Sequence, residues 1–118
     1  MKYFLDTYAI IEIIKGNPSY QRFTDHDLST SILNLYELYY IFLRVRGEDE
    51  AKKYFSQFYD IIIPIKDANI FFASKFKLKQ KNISYTDALG YAIAYENNMT
   101  FLTGDKEFKD IENVEFVK

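Results

Sequence analysis

Apolar and polar positions fall along this chain in blocks of two lengths. Short apolar runs that stop at an acid or a turn residue predict buried strands, namely "KYFLD", "DLSTSIL" from Asp27, "IIIPI" from Ile61, "MTFLTGD" from Met99 and "VEFV" from Val114. Longer segments between them predict helices. "TYAIIEIIKGNPS" is closed by Gly16 and Pro18, and "NLYELYYIFLRVRG" ends in Arg44, Arg46 and Gly47, as helix C-termini prefer. "EDEAKKYFSQFYD" is amphipathic, "DANIFFASKFKLKQK" follows it, and "SYTDALGYAIA" opens a further helix at Ser84. Pro64 within "IIIPI" points to an edge position for that strand.

Strand and helix alternate throughout, which argues for βαβ units with right-handed crossovers and a mostly parallel sheet covered on both faces. A length of 118 residues predicts one domain spanning 1–118. Nearly half of the chain is hydrophobic and 19% is aromatic, a composition suited to a packed interior. Cysteine is absent and Asp6 interrupts any early apolar run, so neither a disulfide framework nor a signal peptide is expected, and the cytoplasm is the expected compartment. The longest unbroken apolar run, Leu38 to Leu43, falls far short of the ~20 residues of a spanning helix, so no membrane segment is expected.

In open parallel sheets, ligands bind beyond the carboxyl ends of the strands, where Asp6 and Asp105 stand. Each could equally cap the turn or helix that follows. Asp87 poses the same choice, because Ser84 and Asp87 have the spacing of a capping box. Glu37 is less easily explained as structural. It is the only charge between Ile32 and Leu43, on a helix apolar enough to predict burial on more than one face, and no cation stands three or four residues away. Its partner is either a distant Lys or Arg or a metal ion.

Together, "FLDTYAIIE", "STSILNLYELYYIF", "SYTDALGYAIAYENN" and "FLTGDKEF" resemble, over essentially the whole chain, the PIN domain family of metal-dependent nucleases and its VapC-type toxins. The resemblance implies a three-layer α/β/α fold with a parallel four- or five-stranded sheet in the order 3-2-1-4-5. It assigns an acidic quartet to Asp6, Glu37, Asp87 and Asp105, and matches the family's two hydroxyl positions with Thr7 and Thr103. Glu107 stands where many relatives carry a further Asp. An RNA substrate, a protein antitoxin and a homodimer are also implied.

This chemistry suits the composition. Cleaving a phosphodiester requires positive charge to offset what develops in the transition state. Oxygen-only ligands select hard cations, and a chain with no Cys and one His cannot build a conventional zinc site, so Mg²⁺ or Mn²⁺ is expected. The net charge of −2 does not exclude nucleic acid, since setting aside four pocket acids leaves thirteen acids against fifteen Lys and Arg. Lys15, Arg44, Arg46 and Lys106 are candidate phosphate contacts at the pocket rim. Lys75, Lys77, Lys79 and Lys81 read as a solvated helix end, and His26 as a loop residue. Tyr36, Tyr39 and Tyr40 suit core or interface positions, with base stacking an alternative. Two rival readings are a non-catalytic PIN-like RNA-binding or scaffold module, and a receiver-like phosphoacceptor domain. The latter predicts an acid pair at the first strand and a lysine ending the last, which the chain does not clearly show.

Overall fold

The computed structural model describes residues 1–118. Four parallel strands, β1 (Lys2–Leu5), β2 (Asp27–Ser29), β3 (Thr100–Thr103) and β4 (Val114–Phe116), form a sheet in the order β2-β1-β3-β4. The central strand β1 pairs Phe4 with Ser29 on one side and with Phe101 on the other. Six helices join them: α1 (Thr7–Ile14), α2 (Pro18–Gln21), α3 (Ile32–Val45), α4 (Glu48–Tyr59), α5 (Asp67–Lys79) and α6 (Tyr85–Glu96). No helix is long and apolar enough to cross a membrane.

Successive strand residues face opposite sides of the sheet, and this period of two builds two cores. Tyr3, Leu5 and Leu102 join Ala9, Leu35, Leu38 and Phe58 under α1, α3 and α4. Phe4 and Phe101 point the other way, into Ala73, Leu89 and Ile93 of α5 and α6. The result is the expected α/β/α layering. Helix α6 approaches the sheet most closely at Gly90, where an added Cβ would stand 2.8 Å from the Phe4 ring. Gly there lets the helix lie against the stacked Phe4 and Phe101 rings.

One expected strand does not form. The "IIIPI" segment makes a single parallel bridge, Thr30 to Ile62, in which the Thr30 N–H donates to the Ile61 carbonyl and the Ile63 N–H to the Thr30 carbonyl. The ladder stops there for two reasons: Pro64 has no N–H, and the opposing chain turns into α3 at Ile32. The expected order 3-2-1-4-5 therefore keeps its sequence but loses its outer member, which leaves the four-stranded form of the expected sheet. A second difference lies in α3, which is not buried on more than one face. Ile32, Tyr36, Tyr40 and Leu43 form an exposed apolar stripe along it.

Candidate active site

Asp6 leaves the end of β1 fully buried, with its backbone N–H still in the ladder to the Leu102 carbonyl at 3.3 Å. Its Oδ1 accepts the Ala9 N–H at 2.8 Å, which makes it the N-cap of α1. Its Oδ2 accepts the hydroxyl proton of Thr103, at the end of the neighbouring strand β3. Thr103 Oγ1 in turn accepts the Asp105 N–H at 3.0 Å, and Asp105 Oδ1 accepts the Glu107 N–H at 3.0 Å. The capping roles anticipated for Asp6 and Asp105 are therefore real, and they anchor both carboxylates at the carboxyl edge of the sheet.

Glu37 reaches the same place from α3. No Lys or Arg is paired with it; the chain's ion pairs are Lys15 with Glu12, Arg46 with Glu50 and Lys52 with Glu48. Its partner is the Thr7 hydroxyl, which donates to Glu37 Oε1 at 2.7 Å. Asp87 arrives from the first turn of α6. Ser84 Oγ accepts the Asp87 N–H at 3.1 Å, but Asp87 makes no reciprocal bond to the Ser84 backbone, so only half of the expected capping box exists. The Asp87 carboxylate instead lines the cavity of about 870 Å³ that Asp6, Thr7, Glu37 and Asp105 also line.

Burial and, second to it, crowding of like charge disfavour the ionised forms of Asp6 and Asp87. Burial pushes Asp6 up from 3.8 to about 7; the hydrogen bonds from Thr103 and Ala9 oppose the rise, and the charges of Asp87 and Asp105 add to it. Burial also lifts Asp87 to about 6, with Glu37 and Asp105 contributing repulsion and the Ser84 hydroxyl opposing it. The acids share the cavity without clustering into a group of three or more that could hold an ion as placed. Their donor chemistry still fits a hard divalent cation: every donor is oxygen, and four carboxyl groups face a cavity in which none of them has a cationic partner.

Of the expected phosphate contacts, only Lys106 lines the cavity directly. The Arg44 guanidinium lies 5.7 Å from the ring of Tyr40, itself a lining residue. Lys15 and Arg46 are engaged by Glu12 and Glu50 instead: Glu12 lies one turn back on α1, and Glu50 lies in the first turn of α4, just past the Gly47 break. Glu107 is exposed and outside the cavity lining. Lys77 donates to the Ile83 carbonyl at 2.6 Å, closing the end of α5, and His26 is exposed beside Tyr3.

Sequence reasoning missed several contributors. Lys118 lines the cavity from the chain's last residue, with no motif to mark it. Tyr8 lays its ring so closely on Gly104 that a Cβ there would stand 2.2 Å from it. Asn34 and Ser31 lie fully buried behind Thr7. Their spacing with Glu37, three residues at each step, was the one available signal, since it places all three on the same side of the start of α3.

The chain shares its fold with several solved structures. VapBC2 from Rickettsia felis, bound to a promoter DNA fragment, superposes with a TM-score of 0.75 at 24% identity, covering 99% of this chain and 98% of that one. VapBC-1 from nontypeable Haemophilus influenzae gives 0.77 at 20%, over 100% and 98%. VapC20 from Mycobacterium tuberculosis, a sarcin-ricin loop cleaving toxin, gives 0.76 at 15%, over 98% and 96%. No curated protein sequence matches the chain. The PIN domain model matches residues 3–114, nearly the full length, and with that match the chain belongs to the PIN domain family.

Proposed function

We propose that residues 1–118 act as one nuclease domain, a metal-dependent endoribonuclease that hydrolyses RNA phosphodiester bonds in the cytoplasm as the toxin of a toxin-antitoxin pair. The observation that carries this reading is the convergence of Asp6, Glu37, Asp87 and Asp105, from four separate segments, on one cavity without a cationic partner. Asp6 is the principal metal ligand, because strand β1 and two hydrogen bonds fix it. Glu37, Asp87 and Asp105 complete the set, with Mg²⁺ or Mn²⁺ as the cation. Such an ion, when bound, lowers the pKa of an attached water and offsets charge on the phosphate.

The remaining residues bind and orient. Thr7 and Thr103 hold the carboxylates of Glu37 and Asp6 through hydroxyl donors, and Lys106 and Lys118 supply positive charge at the rim for the RNA backbone. The exposed stripe of Ile32, Tyr36, Tyr40 and Leu43 borders this cavity and suits an antitoxin segment that covers the site. A second apolar patch, Ile70, Phe71, Leu78 and Tyr85, lies on the α5 and α6 side and suits a homodimer contact.

The capping bonds of Asp6 and Asp105 also fit a second reading, a non-catalytic PIN-like RNA-binding or scaffold module. Incubation of single-stranded RNA with the purified chain separates the two. Cleavage that needs Mn²⁺ or Mg²⁺, stops with chelator and is missing from Asp6→Asn supports the nuclease. RNA that is bound but left intact with either metal supports the scaffold.

A further inference from the structure

Four hydrogen bonds link the start of α3 to the Glu37 carboxylate. Ser31 Oγ accepts the Asn34 N–H at 3.3 Å, so its single proton is free to donate to Asn34 Oδ1, at 2.7 Å. With its carbonyl oxygen taken, the Asn34 amide presents Nδ2 to Thr7 Oγ1 at 3.2 Å. Thr7 therefore accepts from Asn34, and its one proton goes to Glu37 Oε1 at 2.7 Å. Ser31 and Asn34 are 1% and 0% exposed, so water cannot replace either partner.

From this chain we infer that Asn34 is a positioning residue for the cation site, one that acts through Thr7 to commit Glu37 Oε1 as an acceptor and leave Oε2 for the ion. The inference rests on the metal-site reading above. Asn34 does not line the cavity, whereas Thr7 and Glu37 do. Without the Asn34 donor, the Thr7 hydroxyl can rotate away, and Glu37 loses the contact that selects its rotamer. Such outer partners typically account for 10–100-fold of metal affinity.

The fold supplies a matched control. Asn69 is also a buried amide, with Oδ1 accepting the Lys66 N–H at 2.7 Å and Nδ2 donating to Glu96 Oε1 at 2.8 Å, but it ties α5 to α6 away from the acids. Mn²⁺ affinity, measured by calorimetric titration of the intact chain, is the readout. Asn34→Leu is expected to weaken Mn²⁺ binding roughly tenfold, while Asn69→Leu lowers the melting temperature and leaves Mn²⁺ affinity within twofold of wild type. In a Thr7→Val background, Asn34→Leu is expected to add nothing further, since its route to Glu37 is already cut. Ser31→Ala, which frees the amide to turn over, tests the same relay if Asn34→Leu does not fold, and it too is expected to weaken binding. Wild-type affinity in a folded Asn34→Leu or in Ser31→Ala overturns the inference, as does a loss that multiplies with that of Thr7→Val. A wild-type chain that binds no Mn²⁺ overturns the site itself.

Discussion

The strand side and the helix side of the acid-lined cavity hold their carboxylates by different means. On the strand side, Asp6 and Thr103 end adjacent strands, and backbone groups orient them: the Leu102 carbonyl, the Ala9 N–H and the Asp105 N–H. On the helix side, Glu37 depends on Thr7, and Thr7 on Asn34, so side chains alone set its direction. Backbone orientation resists substitution elsewhere because the sheet ladder enforces it. Orientation by a side-chain relay can be lost at any of its members. Substitutions around Asp6 should therefore leave its direction intact, while those around Glu37 should weaken the site by degrees.

The largest effect is expected at Asp6 and Asp87. Asp6→Asn keeps the cap geometry but removes the charge, and cleavage should fall beyond the roughly 100-fold associated with outer-sphere partners. Asp87→Asn should also be inactive, with Ser84 still capping α6; a fully active Asp87→Asn would leave that residue a helix-end charge only. Glu37→Gln also removes a proposed ligand and should lose more than that roughly 100-fold, though less than Asp6→Asn. Equal residual rates in initial-velocity assays of Asp6→Asn and Glu37→Gln would erase the contrast between the two sides.

Next in size is a pH effect on stability. Asp6 and Asp87 are raised to about 7 and about 6 in the fold, so the metal-free native state holds protons that the unfolded chain releases. Their contribution is fully present below about pH 4 and is lost as pH climbs to 7, on the order of 4 kcal/mol for the buried Asp6 alone. The metal-free chain should therefore melt lower at pH 7.5 than these groups allow at pH 5, and Asp6→Asn should flatten that slope. Mn²⁺ should raise the melting temperature more at pH 7.5, where protons no longer compete. Melting curves that are parallel in pH for wild type and Asp6→Asn would show that Asp6 does not carry the pH dependence.

Smaller again is the cost of each hydroxyl. Thr103→Val leaves buried Asp6 Oδ2 and the Asp105 N–H unpaired and should cost about 1–3 kcal/mol in denaturant unfolding. Thr7→Val should cost about 1–2 kcal/mol, because half-buried Glu37 can turn to water but the buried Asn34 Nδ2 loses its acceptor. The reverse ranking would place the rigid half on α3. The smallest effect belongs to Lys77→Ala and Lys79→Ala, outside both halves, where cleavage should be unchanged. Lys77→Ala should lower stability slightly by releasing the Ile83 carbonyl.

The same contrast explains what could be read from the residues. Asp6 and Asp105 were legible because an acid that stops a short apolar run marks a strand end, and strand ends gather ligands in parallel sheets. Glu37 stood out as a lone charge in an apolar helix. Asn34, behind its Thr7 partner, did not, because an Asn in the first turn of a helix reads as an ordinary polar residue until folding brings Thr7 within 3.2 Å of it. The exposed stripe on α3 was illegible for a related reason: apolar periodicity states that a face is apolar and says nothing about whether this chain covers it. The missing fifth strand was half legible, since Pro64 marked an edge but the early start of α3 did not show in the pattern.

Crystals of the chain grown with Mn²⁺ would test the central claim most directly, through the anomalous signal of the ion. The expected result is a peak inside the cavity with oxygen atoms of Asp6 and at least two of Glu37, Asp87 and Asp105 within coordination distance, and with Thr7 still donating to the other oxygen of Glu37. A peak bound elsewhere, or a cavity that stays free of Mn²⁺ at saturating concentration with its carboxylates in place, would contradict the assignment of these four acids to a metal centre.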